Sequence, residues 1–326
     1  MKPWYRGTGE PWPGDKPPDL PTPLVERFSA PEDYMADEGL VDAVNVALHL
    51  GQPLLLTGQP GTGKTQLATS LAHELHLGDG KPLKFETKST SVARDLFYTS
   101  DTLGRFHAAQ TRRGSGRAID YIRWMALGKA ILYARHPKEV SHLPPPRDHP
   151  GRRRSLVLID EIDKAPRDFP NDLLNEVENM EFRIPELGNL TVKADPEMRP
   201  VLVLTSNSEK NLPEAFLRRC VFYYIPFPEP KDLRKIVRRR LGKELGDEAL
   251  LDSALELFHR LHDKTLGLLK KPSTGELLAW LHDLISGPPA TRESLVERTL
   301  CTLIKTKEDA DRARAEVEKW VRNRKP

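Results

Sequence analysis

Short, wholly apolar runs alternate with amphipathic ones over the first two thirds of the chain, and the last third is amphipathic almost throughout. Residues 37–50 place Leu40, Val41, Val44, Val46, Ala47 and Leu50 near helical spacing and stop at Gly51-Gln52-Pro53, which predicts a helix with a sharp end. Residues 54–56 (LLL) read as a short buried strand and 65–75 as a helix. Further strands are expected at 83–87, 156–160 (LVLID) and 201–205 (VLVLT), and the run VFYYI reads as another. Strands this short and apolar suit a parallel sheet buried on both faces, and the helices between them suit crossover connections. The expected fold class is α/β, a central parallel sheet flanked by helices and followed by a smaller all-helical domain.

Three regions follow from the same pattern. Residues 1–30 are rich in proline (Pro11, Pro13, Pro17, Pro18, Pro21, Pro23) and read as an extended arm. Its Trp4, Tyr5 and Trp12 are expected to pack on the parent domain, with a tether onto a neighbouring subunit as the alternative. Residues 31–229 hold the α/β pattern. From 230 to 326 the segments LRKIVRRRLG, LLDSALELFHRLHD, TGELLAWLHDLI and SLVERTLCTLI are amphipathic helices, and the turn Phe227-Pro228-Glu229-Pro230 marks the boundary.

Composition narrows the class without naming a partner. Of 326 residues, 30% are charged and 38% hydrophobic, as in a globular protein with a well-solvated surface, and a net charge of +3 says little. No apolar run approaches the roughly 20 residues a membrane span needs, and the opening MKPWYRGTGEPWPGDKPPDLP lacks the apolar stretch of a signal peptide. A cytoplasmic location is therefore expected. Cys220 and Cys301 are the only cysteines, too few for a disulfide framework and without zinc spacing, and are read as reduced thiols.

Chemistry begins where the first strand ends. Gly58, Gln59, Pro60, Gly61, Thr62, Gly63, Lys64 and Thr65 satisfy G-x-x-x-x-G-K-[ST], with the strand before and the helix after that the motif requires. Its glycines let successive backbone N–H groups and a helix N-terminus face a phosphate chain. Lys64 is expected to reach the β- and γ-phosphates of ATP, and Thr65 to place its hydroxyl on Mg²⁺; Gln66, next in the helix, is counted with the cofactor-binding stretch. The second element is LVLIDEID, whose Asp160 and Glu161 emerge at the carboxyl end of a buried strand. Asp160 is the candidate metal carboxylate, and Glu161 the candidate to polarise an attacking water. Asn207, after the VLVLT strand, is the candidate to orient that water. Arg218 and Arg219, just before VFYYI, put guanidinium groups where one could act on the phosphate of another subunit, with Arg219 preferred.

The order of these motifs resembles that of the AAA+ ATPases and, within them, the MoxR-like group, over roughly residues 35–285. GQPGTGKT is similar to Walker A, LVLIDEIDKAPRDFPNDLLNEVE to Walker B with its following helix, LTSNSEK to sensor 1 and AFLRRC to the arginine-finger segment; RDLFYTSDTLGRFHAAQ is similar to a segment of MoxR-type ATPases of bacterial multi-gene systems, some linked to defence. The resemblance implies an AAA+ P-loop domain with a helical lid and a homo-oligomeric ring, usually hexameric. It also implies ATP at each subunit boundary, Arg219 reaching the neighbour's γ-phosphate, and hydrolysis that remodels a protein partner, often a von Willebrand A domain protein. One departure is the lid: where a sensor 2 arginine is usual, this chain has Lys270-Lys271-Pro272-Ser273-Thr274-Gly275-Glu276. Lys270 or Lys271 is a candidate substitute; the other reading is a helix start capped by Ser273 or Thr274.

A basic stretch between residues 105 and 154 includes Arg112, Arg113, Arg117, Arg123, Lys129, Arg135, Lys138, Arg147, Arg152, Arg153 and Arg154. It keeps nucleic-acid binding open as a lesser alternative, beside an ATP-dependent assembly switch or scaffold. Tyr121 and Trp124, in YIRWMALGKAILYA, are expected on the core face of a helix rather than on a stacking platform.

Overall fold

The computed structural model describes residues 5, 7, 9, 16–21, 23–24, 28–111, 117–143, 149–207, 211–245, 248–287 and 291–323; Trp4, Trp12, Arg112, Arg113 and Arg147 lie outside them. Two compact units divide the chain. One comprises Ala36–Gln59 and Gly63–Pro226, the other Met1–Met35, Pro60–Thr62 and Phe227–Pro326.

The first unit contains, in order, α1 (Glu38–Leu50), β1 (Leu54–Gly58), α2 (Lys64–Glu74), β2 (Leu83–Glu86), β3 (Tyr98–Ser100), α3 (Thr102–Thr111), β4 (Ile122–Trp124), α4 (Ala126–Tyr133) and β5 (Leu156–Asp160). It continues with α5 (Phe169–Asp172), α6 (Leu174–Asn179), β6 (Glu181–Ile184), β7 (Leu190–Lys193), β8 (Val201–Ser206), α7 (Glu214–Leu217) and β9 (Val221–Ile225). Five strands form one parallel sheet in the order β2-β5-β8-β1-β9. Leu54, Leu55 and Leu56 of β1 and Leu156, Val157, Leu158 and Ile159 of β5 are all buried, because helices cover both faces. α1 begins where Asp37 accepts a bond from Leu40 N at 2.9 Å and ends at Gly51, whose φ of 63° is the left-handed cap that glycine adopts without strain. The sheet and its flanking helices are those the hydrophobic pattern predicts.

Two small antiparallel strand pairs were not foreseen, and one corrects the expectation for Trp124. Ile122–Trp124 is a strand, paired antiparallel with Tyr98–Ser100, and the helix starts only at Ala126. Burial alternates there, Ile122 in, Arg123 out, Trp124 in, which is the period of a strand. Trp124 does serve the core, meeting Phe182 at 6.0 Å between ring centres, but from a strand. The other pair, β6–β7, is a hairpin that turns through Gly188 and Asn189, both at positive φ.

The second unit is helical: α8 (Pro230–Leu241), α9 (Glu248–His262), α10 (Thr274–Ser286), α11 (Arg292–Leu303) and α12 (Lys307–Asn323). Its core gathers Leu233, Val237, Phe258, Trp280, Val317 and neighbours, with Trp280 Nε1 donating to Thr299 Oγ1 at 3.2 Å. Phe28 and Leu24, from the N-terminal region, pack into this core, and Arg240 holds the carbonyls of Phe28 and Ala30 at 2.6 and 3.0 Å. Tyr5 is 88% exposed, so the packing expected of the arm's aromatic residues is not seen there. Cys220 and Cys301 are free thiols, and burial pushes the Cys220 thiol up to about 12. Among the described residues no helix is long and apolar enough to cross a membrane.

Candidate functional site

β1 delivers the chain to Gly58 at its carboxyl end, and the loop that follows turns on three glycines with positive φ: Gly58 at 147°, Gly61 at 79° and Gly63 at 88°. Side chains with a Cβ resist that backbone, which is why the motif needs glycine. α2 then starts at Lys64 with no side chain capping its first turn, so its leading N–H groups carry the positive end of the helix dipole. Lys64 is only 7% exposed, and its Nζ donates to the carbonyls of Gly58 and Gln59 at 2.7 and 2.9 Å, which sets the ammonium inside the bend of the loop. Burial drives the Lys64 ammonium below its ordinary value, against the opposing pull of Asp163, Asp160 and Glu161.

The carboxylates assemble because β8 lies between β1 and β5. Thr205, near the end of β8, donates from Oγ1 to Asp160 Oδ1 at 2.6 Å and accepts from Glu161 N at 2.9 Å. From the other side Thr65 Oγ1 donates to the same Asp160 Oδ1 at 3.0 Å, and Lys84 Nζ stands 3.0 Å from Oδ2. Burial alone would raise the Asp160 carboxyl, but the bonds from Thr205, Lys84 and Thr65 outweigh it and hold it below the usual carboxylate range. Glu161 sits at φ 55° and ψ 51°, a left-handed conformation rare for a residue with a long side chain. Its carboxylate accepts from Asn207 Nδ2 at 3.1 Å and is paired with Lys164. Asn207 is fixed in turn by its backbone N–H, which donates to Asp163 Oδ2 at 3.1 Å, and Asp163 is 2% exposed.

Lys64, Thr65, Asp160, Glu161 and Asn207 therefore converge at the carboxyl ends of three adjacent strands. Arg218 and Arg219 do not join them. Arg218 pairs with Glu214, while Arg219 is 3.2 Å from Glu178 Oε2 and donates to Ala215 O at 3.0 Å. Thr205, Lys84, Asp163 and Lys164 were missed as members of the cluster. Asp163 is legible in hindsight as the third carboxylate of DEID, but Lys84 has no signal of its own, because its partner lies on a distant stretch of chain.

The donor set fits a small hard cation. Thr65 Oγ1 and Asp160 Oδ1, 3.0 Å apart, could serve as two oxygen ligands, and among the described residues no group of three or more His, Cys, Asp or Glu could cage a metal. Two protein oxygens suit Mg²⁺, which keeps several waters and takes its remaining ligands from phosphates. The glycine backbone and buried lysine likewise fit a phosphate chain.

In the helical unit, Ser273 caps α10 in a reciprocal pair with Glu276, donating from its N–H to Oε2 at 2.6 Å. Lys271 Nζ donates to His262 O at 2.7 Å, and the Lys270 N–H binds Asp309 Oδ2 at 2.9 Å. Ser273 and the Lys271 side chain thus have structural roles around a helix start, as the capping reading expects. Four arginines of the basic stretch are also engaged: Arg152 binds Asp195 and Glu197 at 2.5 and 2.7 Å, Arg153 pairs with Asp79, Arg135 with Glu139 at 2.9 Å and Arg117 with Asp120 at 3.0 Å. These four charges, neutralised within the chain, offer little to nucleic acid.

No curated protein matches the chain. The model of the AAA domain, dynein-related subfamily, does match, over residues 53–220, a little over half of the 326 residues. That span opens one residue before β1 and closes just past Arg219, so it takes in the glycine loop, both strand-end carboxylates and Asn207: the chain belongs to the AAA domain family, in its dynein-related subfamily.

Proposed function

We propose that this protein is a MoxR-like AAA+ ATPase that binds ATP with Mg²⁺, hydrolyses it at the site built around Asp160 and Glu161, and works as a ring, with six subunits the favoured number, to remodel a protein partner. The observation that carries hydrolysis is the chain of bonds Thr65–Asp160–Thr205–Glu161–Asn207, which joins the phosphate loop to a fixed, solvent-reaching carboxylate. The glycine backbone and Lys64 bind and neutralise the phosphates, and Thr65 with Asp160 would hold Mg²⁺, which supplies charge neutralisation at the transferring phosphoryl group. Glu161 accepts a proton from the attacking water while Asn207 keeps that carboxylate turned toward it. Arg219 fits a role in trans, since it lies on an exposed turn and pairs there with Glu178 rather than with Asp160 or Glu161 of its own subunit. A von Willebrand A domain protein is the partner class that the family resemblance favours.

Glu161→Gln keeps the shape and the Asn207 contact and removes the base. Turnover should fall by about 10² or more, the usual worth of a general base, with ATP binding retained. Phosphate release and binding of a fluorescent ATP analogue measure the two separately; wild-type turnover in this variant would sink the assignment.

A further inference from the structure

Lys84 enters the cluster from the edge strand β2, and ATP hydrolysis as proposed makes no use of it. In the β2–β5 ladder Glu86 is opposite Asp160, so two carboxylates stand side by side on one face of the sheet. Like charges so placed repel. Lys84 is two residues earlier on the same strand and so shares that face; its Nζ is 2.9 Å from Glu86 Oε1 and 3.0 Å from Asp160 Oδ2. The other oxygen of Asp160, Oδ1, is the one bonded to Thr65 and Thr205. Asp160 thus turns one oxygen toward the phosphate loop while an ammonium neutralises the other.

We propose that Lys84 is a tethered cation that competes with a divalent metal ion for Asp160, with Glu86 as the seat to which it withdraws when the metal ion binds. This rests on the reading of Asp160 as the metal carboxylate. Lysine suits such a role because a compact point charge on a flexible stem can be shared between two acceptors and moved from one to the other, where a guanidinium fork would lock onto one. Its side chain is 40% exposed, which leaves the ammonium room to swing. In the metal-free protein Lys84 relieves repulsion among Asp160, Glu161, Asp163 and Glu86; on metal binding it becomes the group that has to be displaced. It is a positioning residue that sets the metal requirement.

The test is a titration of Mn²⁺ alone, without nucleotide, into full-length wild type, Lys84→Met and Glu86→Gln, with free Mn²⁺ read by electron paramagnetic resonance. Lys84→Met should bind Mn²⁺ about tenfold more tightly, the low end of what an adjacent opposite charge does to a carboxylate's proton affinity. Glu86→Gln should bind several-fold more weakly, because the lysine loses its second seat. On an Asp160→Asn background, Lys84→Met should change nothing. Unchanged or weaker binding by Lys84→Met overturns the proposal, and so does a tenfold gain that persists without Asp160, which would be a general charge effect. Lys84→Gln is read in the same way should the methionine variant fold poorly. Binding of a fluorescent ATP analogue by wild type in Mg²⁺ is measured in parallel; its absence would overturn the proposed function, while the Mn²⁺ ranking still decides on Lys84.

Discussion

Single residues in this chain are tuned by what surrounds them, and His262 shows how that becomes a pH dependence. Its ring packs against both Phe227 and Phe258, at 4.6 and 4.5 Å between centres. Burial is the largest influence and lowers its pKa, with Lys271 and His259 pushing the same way and the carbonyls of Phe258 and Pro272 opposing. A group depressed in the folded state binds its proton more readily when unfolded. Stability from this site is therefore complete above the unfolded value of about 6.5 and is lost as pH falls below it toward the folded value. Urea unfolding should show the helical unit weakening between pH 7.5 and about 5.5, and His262→Phe should remove part of that slope. An unchanged slope in His262→Phe would assign the acid sensitivity to other groups.

At the scale of elements, the start of α4 makes a prediction whose sign is opposite to the one helix propensity gives. Gly128 lies in the first turn of α4, and a glycine in a helix ordinarily costs about 1 kcal/mol against alanine. Here a Cβ would stand 1.9 Å from the Phe97 carbonyl oxygen, which also accepts from Met125 N at 2.9 Å. Gly128→Ala must push α4 away from the segment before β3, so it should destabilise by about 1–3 kcal/mol in urea unfolding. A stabilised variant would refute the close approach. Much of the scaffold around this point was legible in sequence. The central strands read directly, since a run such as LVLID that is buried on both faces is apolar at every position and ends where a charge appears. The β3–β4 pair did not read, because YIRWMALGKAILYA is apolar at both periods and length alone cannot place the change from strand to helix at Met125. Pairing to Tyr98–Ser100, more than twenty residues earlier, decided it; the β6–β7 hairpin is local, and its turn residue Glu186 accepts from Tyr98 Oη at 2.8 Å. The same limit separates Asp160 and Glu161, found from their place at a strand end, from Lys84 and Thr205, whose roles exist only once three strands are side by side.

For the whole molecule the open question is what Arg219 does beyond its own subunit. If it acts on a neighbour's phosphates, Arg219→Ala should lose about 10³-fold or more in turnover while keeping ATP binding. Mixed with Lys64→Ala, which has the arginine and lacks the phosphate-loop lysine, it should regain measurable activity, because one partner supplies each half of the site. Steady-state assays of the two variants, alone and combined, distinguish this from a role within one subunit, for which mixing would restore nothing. The strand order carries a different consequence, for how the protein comes into being. β1, which bears the phosphate loop, lies between β8 and β9 in the sheet, and those are the last two strands among the described residues. On a ribosome the loop emerges early and its strand then waits, with both edges unpaired, for roughly a hundred and fifty further residues before a partner exists. A nascent chain halted before Val201 therefore displays an apolar, unpaired strand of the kind that aggregates or recruits chaperones, and the nucleotide site cannot form on it.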